Sequence, residues 1–180
     1  MRYADFYECD ICNGNSVGVS LFVQGCPFHC EGCFNPETWD YKGGREWTSG
    51  VEKKFFELIG RDYIRRISFL GGSPLCDKNV SEVLQLIKKI KDVYPDKKIW
   101  VYTGYTWEEI IKEKQSDRID VLKYIDVLVD GRFINKEKDL TLAFCGSVNQ
   151  RIIDVKSSII KKDIVLVQNK DEEVTYNEDN

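Results

Sequence analysis

Short apolar runs along this chain alternate with segments whose apolar residues recur every three or four positions. Val17 to Val23 is apolar and β-branched, stops at Gln24-Gly25, and predicts a strand. Val51, Phe55, Leu58 and Ile59 fall on one face of a helix predicted over Val51 to Ile59. Ile67 to Leu70 predicts a second strand, which runs straight into Gly71-Gly72-Ser73-Pro74. Over Asn79 to Val93, residues Val83, Leu84, Ile87, Ile90 and Val93 share a helical face, and Pro95 lies just beyond. Lys98 to Thr103 predicts a third strand, ending at Gly104. Thr106 to Lys114 predicts a helix with Thr106 as N-cap and Glu109 completing a capping box. Val127 to Val129 predicts a fourth strand, closed by Asp130-Gly131, and Ile164 to Val167 a last one. Asn35 to Gly50, with Pro36, Gly43 and Gly44, reads as loop.

Strands alternating with helices imply an α/β fold with a mostly parallel sheet. In such folds, sites gather at the carboxyl ends of the strands. Four loops then share one edge of the sheet: Cys26 to Cys33, Gly71 to Pro74, Thr103-Gly104 and Asp130-Gly131. With no internal repeat or linker in the sequence, one domain is expected over residues 1–168. Asn169 to Asn180 is polar and acidic and predicts a disordered tail.

Composition narrows the partners. The chain has 180 residues and a net charge of −4 with no basic block, which argues against nucleic acid as a partner. No apolar run reaches the roughly 18 residues of a membrane span. The first residues lack the apolar core of a signal peptide, so a cytoplasmic location is expected. Seven cysteines, an odd number, fit metal ligation better than a disulfide framework.

Three of those cysteines carry the chemistry. Gly25-Cys-Pro-Phe-His-Cys-Glu-Gly-Cys-Phe34 sets Cys26, Cys30 and Cys33 at C-x3-C-x2-C. Three thiolates on one short loop can hold three corners of an iron–sulfur cube and leave the fourth iron open for a small molecule. The competing reading is a structural zinc ion with His29 or a remote cysteine as fourth ligand, although zinc sites favour two separated pairs. The Gly71-Gly72 turn lets backbone approach a ligand closely and offers free N–H and C=O groups, or is an ordinary turn.

The cysteine loop directly after the first predicted strand and the Gly-Gly turn after the second resemble the radical S-adenosylmethionine superfamily. Longer stretches are similar to the activating proteins of anaerobic ribonucleoside-triphosphate reductase. These are Asp10-Ile11-x-Asn13-Gly14, Ser20 to Cys26, Cys33-Phe34-Asn35, Trp100 to Tyr105, Val127 to Phe133 and Asn149-Gln150-Arg151, in order from Met1 to about Asp154. The resemblance implies a single-domain, incomplete β/α barrel with a [4Fe-4S] cluster on Cys26, Cys30 and Cys33. It implies S-adenosylmethionine on the open iron, its reductive cleavage to a 5′-deoxyadenosyl radical, and a glycyl radical made on the reductase. Flavodoxin or ferredoxin is the implied electron donor. Gly32, Cys33, Phe34, Gly71, Gly72, Ser73, Thr103 and Asp130 are the implied cofactor contacts, with Tyr102 beside them.

The chain departs from the family pattern in three places. Ser73 stands where an acid usually follows the two glycines, so a neutral hydrogen bond replaces one to a carboxylate. Cys145 replaces a basic residue, and Cys9-x2-Cys12 is read, with Cys76, as bystander thiols. Alternatives are an activase of another glycyl-radical protein, a radical enzyme with a small-molecule substrate, and a cluster protein that performs no cleavage.

Overall fold

The computed structural model describes residues 1–167, and the tail expected at 169–180 lies outside the described residues. The strands, in chain order, are β1 (Arg2–Asp10), β2 (Gly18–Val23), β3 (Arg45–Glu46), β4 (Arg66–Gly71), β5 (Lys98–Tyr102), β6 (Val127–Asp130) and β7 (Arg151–Asp154). The helices are α1 (Ser49–Ile59), α2 (Val80–Val93), α3 (Trp107–Ile111), α4 (Asp117–Leu122) and α5 (Val155–Lys161). One seven-stranded sheet has the order β3-β1-β2-β4-β5-β6-β7. Its centre, β2-β4-β5-β6, is parallel, while β1, β3 and β7 pair antiparallel. The parallel pairs follow from the helices between them, because a parallel return needs a long crossover. β1 and β2 are joined by a short loop and must form a hairpin.

The two faces of the sheet differ. Val19, Leu21, Ile67, Phe69, Ile99, Val101 and Leu128 point to the helices and form the main core with Phe55, Val83, Ile87 and Ile90. Alternate positions form a second face with Trp100, Val127 and Val129, packed against Tyr102, Phe144 and Ile152. On β2 and β4 that face carries the buried polar groups Ser20, Arg66 and Ser68 together with Phe22 and Leu70. Arg66 has no solvent exposure and fits because Gly14 and Gly18 leave room for it. A Cβ on Gly14 would lie 2.4 Å from the Arg66 side chain, and one on Gly18 2.6 Å from its carbonyl oxygen.

Several expectations need correction. Val93, the last residue of α2, is exposed and does not join the apolar face. The strand expected at Ile164 to Val167 is reduced to one bridge, Leu166 to Ile153. The helix at Thr106 ends at Ile111, but its capping box forms. The stretch read as loop, Asn35 to Gly50, holds β3 and the first two residues of α1, and β1, β7, α4 and α5 do not show in the pattern. Among the described residues no helix is long and apolar enough to cross a membrane.

Charge ties the far side together. The Asp126 carboxylate accepts from Ile99 N–H at 2.9 Å, Lys156 at 2.7 Å and Lys91 at 3.2 Å. Burial pushes its pKa up, but these donors outweigh burial and hold it below the usual carboxylate value. Glu108 is held down to about 2, chiefly by the Arg151 guanidinium. A carboxylate with a depressed folded-state pKa stabilises the fold above the unfolded pKa of about 4 and loses that contribution as pH falls through the folded value. The urea midpoint is therefore expected to stay level from neutral pH to about 5 and to fall below about 4. Asp126→Asn should flatten that fall.

Candidate cluster and cofactor site

The carboxyl ends of the four parallel strands open onto one cavity of about 460 Å3. Its walls include Cys26, Cys30, Cys33 and Phe34 from the loop after β2, and Gly71, Gly72 and Ser73 after β4. Tyr102, Thr103 and Gly104 follow β5, and Gly131, Arg132 and Phe133 follow β6. The arm between β6 and β7 adds Phe144, Cys145 and Gln150, and the floor adds Cys12 and Asn13.

The cysteine loop is fixed by backbone bonds. Gly25 N–H donates to Thr38 O at 2.7 Å and Cys26 N–H to Trp39 O at 3.2 Å. Phe28 packs edge-on against Tyr105 with ring centroids 4.9 Å apart, and the Arg132 guanidinium covers its ring at 4.7 Å. The His29 ring stacks on Trp39 at 4.8 Å, which gives it a packing partner. All three thiols are free and half-buried. Burial pushes the Cys26 and Cys30 thiols up, and each also feels its cysteine neighbours. Backbone groups oppose this: Phe28 and His29 at Cys26, and Phe133 at Cys30. Asn35 N–H reaches the Cys33 sulfur at 3.4 Å. The Cys26 and Cys30 sulfurs are costly to ionise alone, and all three sulfurs have nearby donors that would support them as metal thiolates.

Among the described residues, no group of three or more His, Cys, Asp or Glu side chains is placed to hold a metal ion. The three thiols line one cavity.

The Gly-Gly turn differs from expectation in one respect. Gly72 N–H donates to Val23 O and Ser73 N–H to Gly25 O, each at 2.8 Å, so these donors are not free. What remains unpaired is the Ser73 hydroxyl, which is buried without a hydrogen-bond partner. The Tyr102 hydroxyl and Trp39 Nε1 are likewise buried and unpaired, and all three residues line the cavity. Unsatisfied polar atoms around a cavity mark a place for a polar ligand. Thr103 also lines it, with N–H bonded to Val129 O at 2.9 Å and its hydroxyl accepting from Tyr105 N–H.

Two expected contacts sit elsewhere. Gly32 does not line the cavity; it packs against Asn135, whose Oδ1 would lie 2.7 Å from an added Cβ. Asp130 is fully buried, but its carboxylate accepts from Trp107 N–H at 2.7 Å and from Arg151 at 3.0 Å. It borders a neighbouring cavity with Glu108 and Arg151. Of the other thiols, Cys9 is exposed, Cys76 is buried outside the cavity wall, and Cys145 is pushed up to about 11 by burial and Asp130. Sequence reasoning missed Asn79, read only as the start of a helix, and Trp39.

The family described as a 4Fe-4S single cluster domain matches residues 12–153. The chain is 41% identical over 154 residues to the anaerobic ribonucleoside-triphosphate reductase-activating protein of Vibrio cholerae, covering 84% of this chain and 97% of the relative. To the activating protein of that name from Enterobacteria phage T4 it is 36% identical over 165 residues, covering 91% and 100%. The chain belongs to this family of activating proteins. The Escherichia coli K12 member is 38% identical over 152 residues, covering 83% of this chain and 96% of the relative. A family built around a [4Fe-4S] cluster fits a cavity walled by three free cysteines.

Proposed function

We propose that this chain activates anaerobic ribonucleoside-triphosphate reductase by cleaving S-adenosylmethionine at a [4Fe-4S] cluster held by Cys26, Cys30 and Cys33. The convergence of those cysteines, the Gly71-Gly72-Ser73 turn and the β5 end on one cavity carries this reading. In it, the open sheet is an incomplete β/α barrel and residues 1–168 are the activase domain, acting in the cytoplasm. Cys26, Cys30 and Cys33 would hold the cluster, and the reduced cluster with S-adenosylmethionine would supply the one-electron chemistry that removes a hydrogen atom from a glycine Cα of the reductase.

The chain's own residues orient and shield. The backbone at Gly71 and Gly72 would meet the methionine part, and the unpaired Ser73 hydroxyl would accept from its ammonium. Cys33, Phe34 and Thr103 flank the rest. Phe34 and Phe133, with centroids 5.1 Å apart, both line the cavity and would shield it from water and oxygen. Electrons come from a flavodoxin or ferredoxin. A hydroxyl makes a weaker bond to an ammonium than a carboxylate does, by about 1 kcal/mol. Ser73→Asp is expected to tighten S-adenosylmethionine binding by roughly fivefold, measured by calorimetry on the reconstituted protein.

The deciding experiment is anaerobic. The protein is reconstituted with iron and sulfide, reduced, and mixed with S-adenosylmethionine and the reductase. A glycyl-radical signal on the reductase with stoichiometric 5′-deoxyadenosine is the expected result. An intact cluster with no 5′-deoxyadenosine, with or without the reductase, would make the chain a cluster carrier instead.

A further inference from the structure

Asn79 precedes α2 at the N-cap position, yet its side chain makes no capping bond. Asparagine there ordinarily accepts from the second or third N–H of its own helix. Here the carboxamide turns away. Nδ2 donates to Gln24 O at 3.0 Å, Gly25 O at 3.3 Å and Ser73 O at 3.1 Å. Asn79 is only 3% exposed, so these bonds form away from water, where losing a donor is costly.

The three acceptors belong to two segments. Gln24 and Gly25 lead directly into Cys26, and Ser73 ends the Gly-Gly turn. The same segments already meet backbone to backbone. Ser73 N–H donates to Gly25 O at 2.8 Å, and a Cβ on Gly72 would lie 2.5 Å from that oxygen. Nothing larger than glycine fits between them. One amide group therefore bolts the loop that carries the cysteines to the turn that faces them.

We infer that Asn79 is a positioning residue that sets the spacing between the cluster loop and the cofactor turn. The inference rests on the proposed function, since the turn matters only if it holds the cofactor. Asn79 touches neither group and acts through the carbonyls it fixes. A misplacement of about 1 Å at a reacting centre can cost a hundredfold in rate.

Asn79→Asp keeps the size but presents an acceptor to three carbonyls. In the metal-free protein, exchange of the Ser73 amide is expected to quicken by roughly tenfold or more, with the amides of β4 and β5 unchanged. In the reconstituted protein, iron content should match the parent. The change that S-adenosylmethionine produces in the electron paramagnetic spectrum of the reduced cluster should shrink, and 5′-deoxyadenosine formation should fall by roughly tenfold or more. Unchanged Ser73 exchange, or equal quickening of every core amide, would overturn the inference and leave Asn79 an ordinary structural residue. If Asn79→Asp does not fold, Asn79→Ser, which removes the three-way donor without adding charge, takes the same measurements. A parent protein that makes no 5′-deoxyadenosine defeats the proposed function, while the exchange data still report on the clamp.

Discussion

Cys30→Ala is expected to leave a folded protein that keeps no stable cluster and forms no measurable 5′-deoxyadenosine. Cys30 is half-buried and not part of the main core, so its loss exposes little new apolar surface. Its proposed contribution is one of only three protein bonds to the cluster. Residues that merely orient metal ligands are worth 10–100-fold in affinity or activity, so loss of a ligand should exceed about a hundredfold. Iron per chain, visible absorbance and product formation should fall together. Cys9→Ser is the control, because Cys9 is exposed and outside the cavity wall. If Cys9→Ser lost the cluster as fully as Cys30→Ala, the ligand set would be wrong.

The structure shows why these cysteines were legible and other parts were not. The cysteine loop, the Gly-Gly turn and Thr103 each follow an apolar run that ends abruptly, and a parallel sheet brings such ends to one edge. Local pattern carries that information. β1 escaped notice because irregularities between Tyr3 and Asp5 and between Tyr7 and Asp10 break the alternation that marks a strand. β7 has two apolar residues, Ile152 and Ile153, between Arg151 and Asp154, and its identity comes from pairing with β6. α4 and α5 are too short for their periodicity to stand out. Asp130 has the strand-end position of a ligand-binding residue, but Arg151 claims its carboxylate, and that partner is distant in sequence. Asn79 looked like a helix start because that is what its neighbours make it. The carbonyls it holds belong to two other loops, so nothing local announces them.

Asp10→Ala is expected to have the largest effect on stability. Arg66 is fully buried, and its carboxylate partner is Asp10, at 3.4 Å. The guanidinium also donates to the Asp10 carbonyl at 2.8 Å, to Asn13 O at 2.5 Å, to Ser16 O at 3.2 Å and to the Ser68 hydroxyl. Removing one member of a buried pair leaves the other charged and uncompensated, which costs about 3–5 kcal/mol. A fold of this size has only about 5–15 kcal/mol in total. The melting temperature should drop by roughly 10 °C or more. Removing both charges is different, since a buried pair replaced by apolar groups of similar volume is often neutral. Asp10→Leu with Arg66→Met should therefore recover much of the loss. Function should not recover with it. The Asp10 carboxylate also accepts from Cys12 N–H at 2.8 Å and Asn13 Nδ2 at 2.9 Å, and both residues form the cavity floor. The double variant should melt close to the parent yet bind S-adenosylmethionine more weakly. Recovery of both would show that the floor holds its shape without Asp10; recovery of neither would show that the ion pair, and not the burial of its atoms, builds this end of the sheet.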